Sequence, residues 1–214
     1  MRRWCYLCPM PIKNLIFDLG GVIIDLHIHK TREAFEALGM EDTSNWFVAN
    51  DQASLLNAYE TGKLSTDAFI AGINQECGLN ISEDQFYRAW TAMLGKVKRE
   101  RIHMLKELRE NYRVYALSNI NAMHAHACHT ILQRDHDLFS FHEIFDLVFY
   151  SHEIGYRKPE PGAWQKVLER TGIVPEETLF IDDHLPNVEA AAALGFQSKF
   201  ADREILEIVN TLEL

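Results

Sequence analysis

The sequence predicts an α/β protein: a doubly wound parallel sheet carrying a small α-helical cap after its first strand. Three observations lead there. An apolar run beginning at Leu15 ends abruptly in Asp18, and Gly20 and Gly21 follow before a second apolar run starts at Val22. From about residue 29 to 94 the pattern is helical, without a convincing strand. From about residue 98 onward, short apolar runs alternate with amphipathic helical stretches. Strands alternating with helices specify βαβ units with right-handed crossovers and a parallel sheet.

The opening run is read as a buried strand, because a parallel strand covered on both faces is continuously hydrophobic. Within the insertion, Ser65 precedes a helix with Phe69, Ile70, Ile73 and Cys77 on one face. Ser82 and Gln85 make a capping-box pattern before Phe86, Ala89, Trp90, Met93 and Leu94. Gly62 and Gly78 end or separate helical segments. The insertion is small and sparse in aromatic residues, so an independently folding domain is not predicted. A helix with Ile102, Leu105 and Leu108 then leads to a strand over 112–117, ending at Ser118-Asn119. A helix over 121–132 and a strand over 147–150 follow. After the basic loop Arg157-Lys158-Pro159-Glu160-Pro161 comes a helix with Trp164, Val167 and Leu168. A strand over 178–181 ends in Asp182-Asp183, an alanine-rich helix spans about 187–194, and 196–200 reads as a last strand. The terminal helix buries Ile205, Ile208, Val209 and Leu212. The expected division is an α/β core from residues 12–28 and 95–214, with a cap from 29–94.

Composition narrows the function classes. The 214 residues are 47% hydrophobic and 24% charged, as in an ordinary globular protein with a substantial core. A formal charge of −10 argues against a nucleic-acid partner but not against a small phosphorylated one, which a local cationic pocket accommodates. Cys5 and Cys8 have C-x-x-C spacing with no second pair, so reduced thiols without a metal are expected. The basic-then-apolar start is too short for a signal-peptide core and is broken by Pro9 and Pro11, and Met10 is an alternative start. No segment reaches the ~18 apolar residues of a membrane helix. A cytoplasmic monomer or homodimer, with no membrane partner, is the expectation.

Three strands therefore end in polar groups, Asp18, Ser118-Asn119 and Asp182-Asp183, and a lysine loop follows a fourth. Carboxyl ends of parallel strands share one edge, where ligands of open α/β sheets bind. Converging carboxylates repel unless a cation neutralises them, and hard oxygen ligands suit Mg²⁺. A lysine and a serine beside them match a phosphate. That set is equipped for phosphoryl transfer through an aspartyl-phosphate.

With these residues, the chain resembles the haloacid dehalogenase superfamily of phosphohydrolases, from Ile12 along essentially its whole length. The matching motifs are Phe17–Val22, Leu117–Asn119, Arg157–Pro161 and Phe180–Ala191, in the family's order. The helical insertion corresponds to the small cap of its Rossmann-like phosphatases, and Tyr59–Phe69 is similar to sugar-phosphate phosphatases. The resemblance implies a phosphatase with Asp18 as nucleophile and metal ligand, joined on the metal by the Gly20 carbonyl and Asp183. Asp182 and Asn187 would act on the metal directly or through water. Ser118 and Asn119 would hold phosphate oxygens, and Lys158 would bridge phosphate and Asp18. The implied cofactor is Mg²⁺, and the substrate a small phosphorylated metabolite.

One position departs from the family. Two residues after the nucleophile, where most of these phosphatases carry a second Asp as general acid and base, stands Gly20. Such help is typically worth about 10²–10⁴-fold. Three readings follow: a good leaving group such as the anomeric hydroxyl of glucose 1-phosphate, a substitute such as His27 or His184, or a weak or non-catalytic phosphometabolite-binding protein. A 2-haloacid dehalogenase is a further alternative, as is a phosphomutase. His124, His126 and His129 share one helix and are read as a polar face near the site entrance. Trp46, Phe47, Tyr59 and Trp90 are candidate pocket residues of the cap.

Overall fold

The computed structural model describes residues 10–41 and 54–212. Its described strands are β1 (Asn14–Phe17), β2 (Ile24–Leu26), β3 (Leu94–Val97), β4 (Arg113–Ser118), β5 (Leu147–Tyr150), β6 (Thr178–Asp182) and β7 (Gln197–Phe200). Five form one sheet in the order β5-β4-β1-β6-β7, with every pairing parallel. The first strand lies at the centre, as its unbroken apolar sequence requires. Alternate residues serve opposite faces. Leu15, Phe17, Val114, Ala116, Leu179 and Ile181 join one hydrophobic cluster. Ile16, Tyr115, Leu117 and Phe180 join another. A doubly wound sheet is the direct consequence.

The helices are α1 (Ile28–Ala37), α2 (Leu55–Glu60), α3 (Thr66–Cys77), α4 (Glu83–Thr91), α5 (Arg99–Leu108), α6 (Ala122–His136), α7 (Ser151–Ile154), α8 (Pro161–Thr171), α9 (Leu185–Ala193) and α10 (Ile205–Thr211). From α5, α6 and α10, Leu105, Leu132 and Ile208 cover the first face. From α8 and α9, Trp164, Val167 and Ala191 cover the second. The first four helices enclose a third cluster around Phe35, Tyr59, Phe69, Phe86 and Trp90. Tyr59 stacks on Phe69 with centroids 4.3 Å apart, and Trp90 meets Phe69 edge-on at 5.1 Å. Contrary to the expected sparseness, residues 29–94 hold eight aromatic residues, and the six that are described gather in or against this one core.

Ser65 caps α3 by accepting from the Ala68 N–H, and Ser82 with Gln85 forms the full capping box of α4. Gly78 ends α3 at a left-handed φ of 63°. The antiparallel pair β2–β3, where the chain leaves and re-enters the core, was not anticipated. Each strand is short and mostly half-buried, with no alternation long enough to register. Beside it, the buried Arg101 ties three segments together. Its guanidinium donates to Ile23 O (3.0 Å) and both Glu204 carboxylate oxygens (2.8 and 3.0 Å), and pairs with Asp25 (2.8 Å).

Candidate active site

The strand register brings the polar ends together. Asp18 follows β1 and donates its N–H to Ile181 O of β6, so Asp18 and Asp182 lie side by side. Lys158, 2% exposed, reaches between them, with Nζ 2.8 Å from Asp18 Oδ1 and 2.6 Å from Asp182 Oδ2. Asp183 completes a group in which one oxygen from each of Asp18, Asp182 and Asp183 lies within 4.8 Å of the others. Ser118 closes β4 and, with Asn119, lines a cavity of about 200 Å³ between the sheet edge and the cap helices.

Electrostatics follow from this crowding. Burial pushes the Asp18 carboxyl up to about 7; Lys158 opposes the shift, while Asp182 and Asp183 add to it. Burial works against the Lys158 ammonium, but Asp18 and Asp182 outweigh it and hold its pKa above the usual lysine value. Burial, then the neighbouring Asp182, also raises Asp183. Three carboxylates with one lysine leave an excess of negative charge. Their hard oxygen donors suit a divalent cation such as Mg²⁺. The backbone also makes room: Gly21 has a φ of +71°, and a Cβ there would fall 1.9 Å from Asp183 Oδ2. The donor set and this cradle fit Mg²⁺.

The two adjacent aspartates differ. Asp182 is fully buried and already committed. Its Oδ2 accepts from Lys158 Nζ and Asn187 Nδ2 (3.0 Å), and its Oδ1 from the His184 N–H (2.7 Å). Asp183 is the exposed member. Asn119 is likewise occupied: Nδ2 donates to Lys158 O (2.8 Å) and Oδ1 accepts from Lys158 N (2.7 Å). Its side chain therefore clamps the lysine backbone.

The structure places the remaining sequence candidates one by one. His27 and His184 do not line the cavity. Trp90 does, and also belongs to the cap core. The Tyr59 hydroxyl accepts from the Met123 N–H (3.1 Å) at the start of α6. Trp46, Phe47, Cys5 and Cys8 lie outside the described residues. His129 contacts the Tyr150 hydroxyl (3.0 Å), His126 is exposed, and His124 stacks on Trp90 at 5.2 Å in the cavity wall. One functional candidate was missed from the sequence: Glu60 of α2, a carboxylate on the cap side of the cavity, 3.0 Å from Arg157. It falls inside the Tyr59–Phe69 segment singled out in the sequence, but nothing local there marks it as lining the cavity.

Comparison with known proteins agrees with this geometry. The haloacid dehalogenase-like hydrolase family matches residues 12–195. D-ribitol-5-phosphate phosphatase of Bacteroides thetaiotaomicron is 30% identical over 87% of this chain and 90% of its own length. The sesquiterpene phosphatase astK of Aspergillus oryzae is 30% identical over 86% of each chain. A haloacid dehalogenase family enzyme from B. thetaiotaomicron, crystallised with magnesium and inorganic phosphate, superposes with a TM-score of 0.82 at 31% identity, covering 92% of this chain and 98% of its own. A predicted family hydrolase from Porphyromonas gingivalis reaches 0.86 at 28% identity, covering 96% and 100%. The chain belongs to the haloacid dehalogenase-like hydrolase family.

Proposed function

We propose that this protein is a Mg²⁺-dependent phosphatase that hydrolyses a small phosphorylated metabolite through an aspartyl-phosphate on Asp18. The observation that carries the reading is Lys158 Nζ, held between Asp18 and Asp182 beside the open carboxylate of Asp183. Asp18 attacks phosphorus through a carboxylate oxygen. Lys158 neutralises charge on the phosphoryl oxygens as the group passes from the ester oxygen to Asp18. Ser118 donates its hydroxyl to a phosphoryl oxygen, while Asn119 fixes the Lys158 backbone and Asp182 anchors its ammonium. Asp18, Asp183 and the Gly20 carbonyl would hold Mg²⁺, with Asp182 behind them. When bound, the metal supplies positive charge that relieves carboxylate repulsion and orients the phosphate. The described cap residues, 29–41 and 54–94, stand over the site of the α/β core and would exclude water from the reaction.

The substrate class we favour is a sugar or sugar-alcohol phosphate. Glucose 1-phosphate suits a site lacking a carboxyl at position 20, and ribitol 5-phosphate is suggested by the B. thetaiotaomicron relative. Three crowded carboxylates favour a metal-dependent phosphatase over a metal-free dehalogenase. The test is phosphate release from glucose 1-phosphate, ribitol 5-phosphate, glucose 6-phosphate and p-nitrophenyl phosphate, with Mg²⁺, with EDTA and with Asp18→Asn. Turnover should require Mg²⁺ and fall at least about 10⁴-fold in the variant, as expected for loss of a nucleophile. Turnover surviving EDTA would sink the metal-dependent reading. A folded, Mg²⁺-binding protein inert toward every ester would point to binding alone.

A further inference from the structure

Gly20 lines the cavity with no side chain to offer it. A Cβ on Gly20 would come within 2.9 Å of Leu26 Cδ1. Among the described residues, three titratable side chains line the cavity: Glu60, His124 and Cys128. Two of them cannot exchange protons usefully. His124 Nε2 donates to Trp90 O (2.8 Å) and its Nδ1 accepts from the Asn121 amide (3.2 Å), so both ring nitrogens are engaged. Burial drives the Cys128 thiol up to about 12.

Glu60 differs in each respect. It belongs to the cap helix α2 and lines the same cavity as the strand-end residues Ser118 and Asn119. Its Oε2 lies 3.0 Å from an Arg157 nitrogen, at ion-pair distance, yet this oxygen has no hydrogen-bond partner among the described residues. Burial raises its carboxyl pKa, and Arg157 draws it back. Arg157 directly precedes Lys158, which places the pair at the edge of the phosphate site.

We propose that Glu60, reaching over the cavity from the cap, is the catalytic acid and base that position 20 lacks. The proposal rests on the aspartyl-phosphate reading above. In the first half-reaction Asp18 forms the new P–O bond, the ester P–O bond breaks, and the departing alkoxide takes the Glu60 proton to leave as an alcohol. In the second, water attacks the phosphoryl group and gives a proton to the Glu60 carboxylate, and the Asp18–phosphorus bond breaks. Phosphate leaves, and both carboxyl groups return to their starting states. Because Glu60 belongs to the cap, the proton donor is in place only with cap and core together.

Leaving-group dependence tests this. Para-substituted phenyl phosphates share one shape but differ in the acidity of the departing phenol, and only poor leaving groups require a proton. Glu60→Gln keeps the side-chain volume, and thermal unfolding checks its fold; Glu60→Asp, which retains a carboxyl, is the companion. In Glu60→Gln the ratio of kcat/KM for phenyl phosphate to that for p-nitrophenyl phosphate should fall about 10²-fold or more. In Glu60→Asp the fall should be smaller. An unchanged ratio, including an equal loss on every ester, would overturn the proposal and reduce Glu60 to a structural partner of Arg157. Failure of the aspartyl-phosphate reading looks different: the wild type itself would release no phosphate from any ester.

Discussion

Gly21 and Asp183 illustrate how closely the site is built around single atoms. The left-handed backbone at Gly21 lets the Asp183 carboxylate occupy the space a Cβ would fill. Gly21→Ala should displace that carboxylate and weaken Mg²⁺ binding about 10- to 100-fold, the range seen when support of a metal ligand is lost. The shift of the thermal unfolding midpoint with Mg²⁺ concentration measures it; a titration matching the wild type would remove Asp183 from the ligand set. Asp18, Ser118, Lys158, Asp182 and Asp183 were legible in sequence because each sits where an apolar run stops or beside glycine or proline. The resemblance set Asp183 on the metal and left Asp182 direct or water-mediated; the grip of Asp182 on Lys158 was not legible. It depends on which carboxylate points under the sheet edge toward Lys158 and Asn187.

At the level of elements, the cap is held to the core through the start of α6. Tyr59 of α2 accepts the Met123 N–H, one of the donors that a helix N-terminus leaves unpaired. Asn121 caps the same end through the His124 N–H and also accepts from Trp90 Nε1 (3.2 Å). Gly62 brings the cap against the core, since a Cβ there would fall 2.1 Å from His152 O. Tyr59→Phe removes the hydroxyl and leaves a buried N–H without its acceptor, which costs about 1–3 kcal/mol. Urea unfolding should record that loss; a change of only a few tenths would mean that another acceptor takes over. The serine caps of α3 and α4 could be read beforehand because capping is local, within three or four residues. The Tyr59 contact spans 64 positions and left no such trace.

For the whole molecule, His124 links stability to pH. Burial, opposed by the hydrogen bond to Trp90 O, lowers its pKa from 6.5 to about 4. The folded state therefore prefers the neutral ring. Its contribution is complete above the unfolded pKa of about 6.5 and is lost as pH falls toward the folded value. The difference corresponds to about 3 kcal/mol. His124→Phe keeps an aromatic ring against Trp90 but does not titrate, so its stability should fall by about 3 kcal/mol less than the wild type between pH 7 and 4. Parallel stability curves in urea would show that this ring is not the sensor. Among the described residues, no helix is long and apolar enough to cross a membrane.

By itself the sequence determined the alternation of strands and helices in the core, the burial of β1 and the polar groups at the strand ends. These are recorded locally, in apolar runs, helical spacing and the residues that interrupt them. It also exposed the vacancy at Gly20, since a missing carboxyl is a property of one position. Tertiary structure alone decided which side chains share the cavity with Gly20. Glu60 reaches the cavity because the cap packs on α6, and Asn119 grips Lys158 across 39 positions because β4 lies beside β5. Side-chain direction and contacts between distant segments follow from packing, and no local pattern in the chain encodes them.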